Sequence, residues 1–550
     1  MELKDDAFRY AVKNAYEHNG KAEVGALIGK LKALHNDKQV SELMPIALET
    51  VKRVNAMTSF QLENFFKDFE GSYELKPKPE REGLPLLDWA EKGEKVVTRY
   101  APNPNGPLHL GNARAAYLSY AYAEKYKGEF ILRFEDTDPK VKKPMKDPEK
   151  IFREDLEWLG IKIGKIFYAS DRLEIYYEYM KTLVHKGHAY VCTCESEAWR
   201  ELIQKKKACK CRGKKPAEQF KKFQKMLDHE IKEGEAVLRL KTDLKNKDPS
   251  VRDWWIARVV DNPDHPRAGT KSNVWPSYMF QSGIDDHEMG ITFILRGQEH
   301  SQNQTKQEFL YNYFGWVYPH AVHFGRLKIG EMVLSTSLIK KGIEEGRYSG
   351  WDDIQLGTVR ALRRRGFKAE ALKKIIVDSG LTTSDANIST EKMGAYNKEL
   401  ILDDSIRVTY ISDPVKLQIP SHDELEIVKD GKEIIFGRGM HEFFVSESEI
   451  KKTKGNVFRL REVYNVKIEQ TEGLLLEGKF AGKLADGKTV VPWIHEMMDL
   501  ELLMPDGKRE VGAIEKQDLK KGEYLHLEKK GYCIIDSVDE ARPKAWFCHE

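Results

Sequence analysis

Residues 102–112 read Pro102-Asn103-Pro104-Asn105-Gly106-Pro107-Leu108-His109-Leu110-Gly111-Asn112, and they restrict the fold more than any other stretch of the chain. The apolar pair Val96-Val97 precedes them. A segment rich in Ala, Leu and Tyr, Ala115 to Lys127, follows, so the order is strand, Pro/Gly turn, helix. A helix opening at such a turn presents unpaired N–H groups and the positive end of its dipole, a seat for phosphate. Gly111 would let a flat purine approach the backbone, and His109 would set an N–H donor beside it.

Two later segments fit the same site. The buried-strand run Phe130-Ile131-Leu132 ends in Arg133-Phe134-Glu135-Asp136-Thr137-Asp138-Pro139, which sets acidic residues at the carboxyl end of a parallel strand, where doubly wound sheets bind ligands. The string Trp275-Pro276-Ser277-Tyr278-Met279-Phe280-Gln281-Ser282-Gly283-Ile284-Asp285-Asp286-His287 precedes a strand, Ile291 to Leu295, with Arg296 and Glu299 just past its end. A further arginine, Arg99, lies in Thr98-Arg99-Tyr100-Ala101. Guanidinium forks bind carboxylates in parallel hydrogen bonds and stay charged at any working pH. For Arg296 a structural salt bridge to Asp285 or Glu299 stands as the alternative.

In combination and in order, these segments resemble the class I aminoacyl-tRNA synthetases of the glutamyl/glutaminyl subfamily, in the archaeal and eukaryotic-type glutamyl form. His109-Leu110-Gly111-Asn112 stands where that family has His-Ile-Gly-His; Asn112 can donate to a phosphate but carries no charge. The resemblance implies an ATP site at Asn105, His109, Gly111, Asn112, Glu299, Ser335, Thr336 and Ser337. It implies an amino-acid site at Arg99, Ala101, Asn103, Glu135, Tyr278, Ser282 and Arg296. Glu135 would receive the substrate ammonium, Tyr278 and Ser282 would line the pocket, and Arg296 would face the γ-carboxylate. Glutaminyl relatives usually have cysteine at the position of Arg296, so the arginine argues for glutamate. A neutral amide would leave a desolvated guanidinium unpaired.

One family element is altered. After Phe324-Gly325-Arg326-Leu327-Lys328 the chain reads Val333-Leu334-Ser335-Thr336-Ser337-Leu338-Ile339-Lys340-Lys341, with Leu338 where a phosphate-steadying lysine is common. Lys340 and Lys341 are expected to take its place, completing a catalytic set with His109 and Asn112; a solvated basic pair is the other reading.

The 550 residues, 41% hydrophobic and 32% charged, are enough for several packed domains and exclude a disordered chain. No apolar run approaches a membrane span, and Met1-Glu2-Leu3-Lys4-Asp5-Asp6 is not a secretory signal. With a net charge of only +3, a nucleic-acid surface must come from local clusters: Lys205 to Lys207 with Lys214-Lys215, Arg360 to Arg365, and Lys451 to Lys454. Six cysteines in this setting imply a reducing, cytoplasmic compartment. Cys192, Cys194, Cys209 and Cys211 form two C-x-C pairs, suited either to one structural Zn2+ or to reduced surface thiols.

The pattern divides the chain into a helical stretch and linker (1–92, with Lys76-Pro77-Lys78-Pro79 as linker), two α/β parts (93–195 and 271–341), a basic, partly helical insert (196–270), a helical region (342–402) and a run of short strands (403–550). The resemblance implies that these are, in turn, a helical N-terminal extension, the two halves of a Rossmann-like catalytic domain, an acceptor-stem-binding insert, a stem-contact region and a β-barrel anticodon-binding region. The expected fold class is multidomain α/β plus β, with a parallel sheet at its centre. The resemblance implies a glutamate–tRNA ligase, expected to be a monomer, that uses L-glutamate, ATP and Mg2+ with tRNA(Glu) and is open to tRNA(Gln). Its alternatives are a glutaminyl enzyme, opposed by Arg296, an RNA-binding paralogue, prompted by Leu338, and a small-metabolite nucleotidyltransferase, for which the β-rich tail lacks a purpose.

Overall fold

The computed structural model describes residues 2–17, 20–35, 37–69, 83–330, 332–429, 431–453, 457–472, 475–483, 489–538 and 542–550. The chain divides into two units, Met1–Glu82 and Gly83–Glu550. The first contains helices Glu2–Glu17, Val24–Leu34, Val40–Asn55 and Ser59–Phe69. Their apolar residues recur at helical spacing, and Ala7, Ala11, Leu27, Leu31, Leu43, Ala47, Val51 and Val54 form one core. The Lys76–Pro79 segment lies outside the described residues.

Nine strands organise the first part of the second unit: β1 Val97–Tyr100, β2 Glu129–Phe134, β3 Lys165–Tyr168, β4 Ala189–Cys192, β5 Val237–Leu240, β6 Trp255–Val259, β7 Val274–Pro276, β8 Phe293–Gly297 and β9 His320–Phe324. Five of them form a sheet in the order β3-β2-β1-β8-β9, parallel throughout. The chain steps outward from β1 through β2 to β3, then returns to the other side of β1 as β8. β1 is therefore the switch point, and the carboxyl ends of β1, β2 and β8 lie side by side, the position at which such sheets bind ligands. Helix Leu110–Lys125 links β1 to β2 and packs Leu110, Ala113, Ala116 and Leu118 into the same core as Tyr100, Leu132 and Leu295.

β4 to β7 form an antiparallel sheet of their own, inserted between the two halves of the parallel one. It runs from Ala189 to Pro276 and so takes in residues on both sides of the 196–270 span read from pattern. β4 and β7 are short apolar runs like those of the neighbouring parallel strands, and sequence alone does not say which sheet such runs join. β7 leads into helix Tyr278–Glu288, so the insert is joined directly to a wall of the site.

Helices Val359–Arg364, Ala369–Asp378 and Thr390–Ile401 follow, then two mixed sheets of six and seven strands, each with its own apolar core. The cluster Arg360 to Arg365, expected to meet a polyanion, is largely engaged within the protein. Arg360 pairs with Asp155 at 3.0 Å and Glu154 at 3.3 Å, Arg364 pairs with Asp352 and Asp536, both at 2.9 Å, and buried Arg365 donates to the Cys548 carbonyl. Only Arg363 of these four is exposed. Charge density along a sequence does not show which carboxylates the fold will bring to it.

Candidate active site

A cavity of about 1040 Å³ opens at the carboxyl ends of β1, β2 and β8. On one side is the start of helix Leu110–Lys125. His109 is its N-cap, and its Nδ1 accepts from Asn112 N at 3.2 Å, so neutral His109 carries its proton on Nε2 as a donor. Burial pushes this imidazole down to about 4, which keeps it neutral at working pH. Leu110 N already donates to the Gly357 carbonyl at 3.0 Å and Asn112 N turns back to His109, leaving the Gly111 N–H as the first-turn donor on the cavity wall. A Cβ on Gly111 would press on the His109 ring, 3.1 Å from Nδ1. A Cβ on Gly106 would collide with Thr336 Cγ2, so glycine there seats the 102–109 turn against the downstream Ser335-Thr336-Ser337 segment. Asn105, Asn112, Glu299 and those three hydroxyl residues all line the cavity.

The opposite end is charged and enclosed. Asp286 accepts from Arg99 Nε at 3.0 Å and from Arg133 NH1 at 2.8 Å, and Asp285 accepts from Arg172 Nε at 2.7 Å and Tyr176 OH at 2.6 Å. Burial would raise the Asp286 carboxyl, yet Arg99 and Arg133 hold it below the usual carboxylate range. Arg133 Nε also donates to Glu135 Oε1 at 3.0 Å, and the buried Glu135 Oε2 is without a partner. Asn103 Nδ2 donates to the Glu135 carbonyl at 3.1 Å and ties the β1 turn to the β2 end.

Arg296 stands apart from this network. It is buried, lines the cavity and, among the described residues, has no carboxylate within ion-pair distance. Its partners are His323 Nε2 at 3.0 Å, Gln307 Oε1 at 3.2 Å and Tyr318 OH at 2.9 Å. The alternative of a bridge to Asp285 or Glu299 is not what forms: Asp285 is held by Arg172 and Tyr176, and Glu299 lies 4.0 Å from Arg326.

Of the other expected residues, Ala101 and Tyr278 line the cavity and Ser282 does not. Tyr278 and Ser282 are four apart on helix Tyr278–Glu288, but Ser282 lies behind the wall and accepts from Gln307 Nε2 at 2.9 Å. Nor do Lys340 and Lys341 reach the wall. Helix Thr336–Glu344 starts at the cavity and carries both lysines out to solvent, where Lys341 lies 3.6 Å from Glu345. The cations on the wall beyond Arg99 and Arg296 are Lys142, Arg258 and Arg326.

In the insert, Cys192, Cys194, Cys209 and Cys211 bring their sulfurs within 4.8 Å of one another, with Cys192–Cys209 at 3.9 Å and Cys194–Cys211 at 3.8 Å. Zn–S bonds of about 2.3 Å give a tetrahedron with edges of about 3.8 Å, so the four thiols fit that ion.

The profile of class I tRNA synthetases (E and Q), catalytic domain, matches residues 95–403. The chain is 42% identical to a glutamate–tRNA ligase of Pyrococcus furiosus and 44% identical to that of Pyrococcus abyssi, in each case over 100% of both chains. This chain belongs to the class I tRNA synthetases of the E and Q family. A solved glutamate tRNA ligase from Elizabethkingia meningosepticum, 22% identical, aligns at a TM-score of 0.42 over 57% of this chain and 70% of that one. The synthetase match begins just before β1 and ends past the helix Thr390–Ile401, so the cavity and the insert both lie inside it.

Several residues of this candidate site stand outside those that the sequence pattern picks out. Arg133 opens the Arg133–Pro139 segment, but nothing in its position reveals that it spans Glu135 and Asp286. Arg326 lies two residues past the end of β9, a strand-end position like that of Arg296, the penultimate residue of β8. Gln307, Tyr318 and His323 carry no local signal.

Proposed function

We propose that this chain is a glutamate–tRNA ligase that activates L-glutamate with ATP and transfers it to the 3′-terminal adenosine of tRNA(Glu). The observation that carries the reading is a pair of half-satisfied buried ionisable groups on one cavity: Arg296, with no carboxylate partner among the described residues, and Glu135, with one oxygen free. An amino acid with an ammonium and an acidic side chain completes both. Arg99, Ala101, Asn103 and Tyr278 surround it, Ser282 acts indirectly through Gln307, and Asn105, His109, Gly111, Asn112, Glu299 and Ser335 to Ser337 take the nucleotide.

In the reaction, an α-carboxylate oxygen of glutamate attacks the α-phosphorus of ATP, and the bond to the bridging oxygen breaks to release pyrophosphate. A ribose hydroxyl of the terminal adenosine then attacks the mixed-anhydride carbonyl, loses its proton and displaces AMP. No side-chain nucleophile is needed. The chain contributes alignment and donors aimed at phosphate charge, His109 Nε2–H and Gly111 N–H among them. Arg326 and Lys142 are the wall cations suited to the departing pyrophosphate.

The wall carboxylates offer no magnesium cage: Glu135 is enclosed, Asp138 lies 3.5 Å from Arg258 and Glu299 lies 4.0 Å from Arg326. Mg2+ would be held by the nucleotide's phosphates and water, where it neutralises phosphate charge. The four cysteines would hold one structural Zn2+ that ties the Cys209–Cys211 turn to β4. For tRNA, exposed Lys206, Lys207, Lys215, Arg363 and Lys452 remain from the basic clusters, while Lys205 and Lys451 pair with Glu201 and Glu447. No helix among the described residues is long and apolar enough to cross a membrane. The enzyme envisaged is a cytoplasmic monomer.

Purified protein with ATP, radiolabelled glutamate or glutamine, and transcripts of tRNA(Glu) and tRNA(Gln) tests this. Glutamate should be attached to tRNA(Glu), and Arg296→Ala should abolish glutamate use while leaving ATP affinity near the parent's. Charging with glutamine instead would point to the glutaminyl reading; inactivity with every tRNA would point to an RNA-binding paralogue.

A further inference from the structure

The Arg296 guanidinium has five N–H donors. Nε donates to His323 Nε2 at 3.0 Å, NH1 to Gln307 Oε1 at 3.2 Å and NH2 to Tyr318 OH at 2.9 Å, which leaves one hydrogen on each terminal nitrogen. Gln307 is buried and saturated. Its Nε2 donates to the Met279 carbonyl at 3.1 Å and to Ser282 Oγ at 2.9 Å, while its Oε1 accepts a second bond, from Tyr318 OH at 2.7 Å. These contacts fix which way the amide points: its oxygen faces the arginine.

All three acceptors are uncharged. His323 accepts on Nε2, so its proton is on Nδ1, and burial beside Arg296 pushes the imidazole down to about 4. Tyr318 donates its hydroxyl hydrogen to Gln307, and burial pushes its phenol up to about 12. The contrast with the adjoining arginines is sharp: Arg99 and Arg133 both rest on Asp286, and Arg172 on Asp285. A carboxylate at the Gln307 position would fit the same space and would pair with the arginine permanently.

We propose that Gln307 is a specificity-determining positioning residue: with His323 and Tyr318 it orients Arg296 through neutral acceptors only, so that the guanidinium's charge stays available to an acidic substrate side chain. This rests on the assignment of Arg296 to the substrate carboxylate. If it holds, discrimination between glutamate and glutamine depends on a residue outside the cavity wall as much as on the arginine itself. An internal carboxylate would compete with the γ-carboxylate of glutamate but would tolerate the neutral amide of glutamine.

The test uses full-length protein and pyrophosphate exchange with glutamate and with glutamine. Gln307→Glu should raise the KM for glutamate at least about tenfold, leave the KM for ATP within about twofold, and lower the glutamate-to-glutamine ratio of kcat/KM by about tenfold or more. Gln307→Met, which removes the amide without adding charge, should weaken glutamate use less and leave that ratio near the parent's. His323→Glu sets a carboxylate beside Nε from the half-buried side and should repeat the Gln307→Glu result; it decides the matter if Gln307→Glu does not fold, as judged by circular dichroism and ATP binding. An unchanged ratio in folded Gln307→Glu or His323→Glu overturns the inference, as does an equal loss of selectivity in Gln307→Met, which would mean packing rather than charge. Arg296→Ala separates the two claims. If it spares glutamate use, the pocket assignment itself fails; if it abolishes glutamate use while the acidic variants change nothing, only the neutral cradle fails.

Discussion

Arg133 Nε donates to Glu135 Oε1 at 3.0 Å, while the second oxygen of the same buried carboxylate meets no donor. A carboxyl satisfied on one side only is expensive to ionise out of water, and burial pushes Glu135 up to about 8 although Arg133 opposes it. The free pocket therefore holds Glu135 largely protonated at neutral pH. A substrate ammonium would supply the missing partner and pull the proton off.

Glutamate binding should consequently release a proton near pH 7. Because the carboxyl's value of about 8 leaves only about a tenth of it ionised at pH 7, apparent affinity should rise by about eightfold from pH 7 to pH 8.5 and weaken as pH falls. Calorimetry in two buffers of different ionisation heat measures the released proton directly. Glu135→Gln should remove both the release and the pH dependence; a proton count near zero in the parent protein would rule out this role for Glu135.

The link between the helical region and the C-terminal sheets rests partly on Arg364, whose fork meets Asp536 at 3.0 and 2.9 Å. The pair is partly exposed, so its worth is modest, and Asp536→Asn should destabilise by about 1 kcal/mol. Hydrogen bonding to Arg364 lowers the Asp536 carboxyl below its ordinary 3.8. The contribution is thus complete above about pH 4 and is lost as pH drops through the lowered value. Denaturant midpoints of parent and variant should differ at pH 7 and converge at pH 3.

What was legible in the sequence was contiguous. The 102–112 turn, the Glu135 segment and Arg296 each stand at the end of a parallel strand, and the ends of neighbouring strands meet by the geometry of the sheet. What was not legible depends on elements from different parts of the chain. Gln307 comes from helix Ser301–Phe314 and His323 from β9, and only tertiary packing brings them to Arg296. Ser282 lies behind the wall: four-residue spacing gives the face of a helix but not its tilt against a cavity. Lys340 and Lys341 face solvent: proximity in sequence to Ser337 does not say where the helix turns them.

The cysteine quartet makes a separate prediction. About one zinc per chain should be found by elemental analysis, and its removal by chelation should loosen the sheet β4 to β7 first, seen as faster amide exchange in residues 189–240. Cys209→Ser should lower zinc content and show the same exchange pattern. Metal-free protein with unaltered exchange, unable to take up added zinc, would leave the four thiols as reduced packing residues.

Leu338, exposed beside the Ser335–Ser337 wall, presents no charge to the phosphates, so some other cation must face the departing pyrophosphate if adenylate forms at a useful rate. Arg326 and Lys142 are on the wall, whereas Lys340 and Lys341 point to solvent. Arg326→Ala should therefore slow adenylate formation by about ten- to a hundredfold with little change in glutamate affinity, since contacts made mainly in the transition state appear in the rate. The double variant Lys340→Ala/Lys341→Ala should stay within about twofold of the parent, and Leu338→Lys should recover part of the Arg326→Ala loss. Single-turnover kinetics of adenylate formation distinguish these cases. A slow double variant beside a normal Arg326→Ala would mean that helix Thr336–Glu344 moves on ATP binding to bring its own lysines to the phosphates.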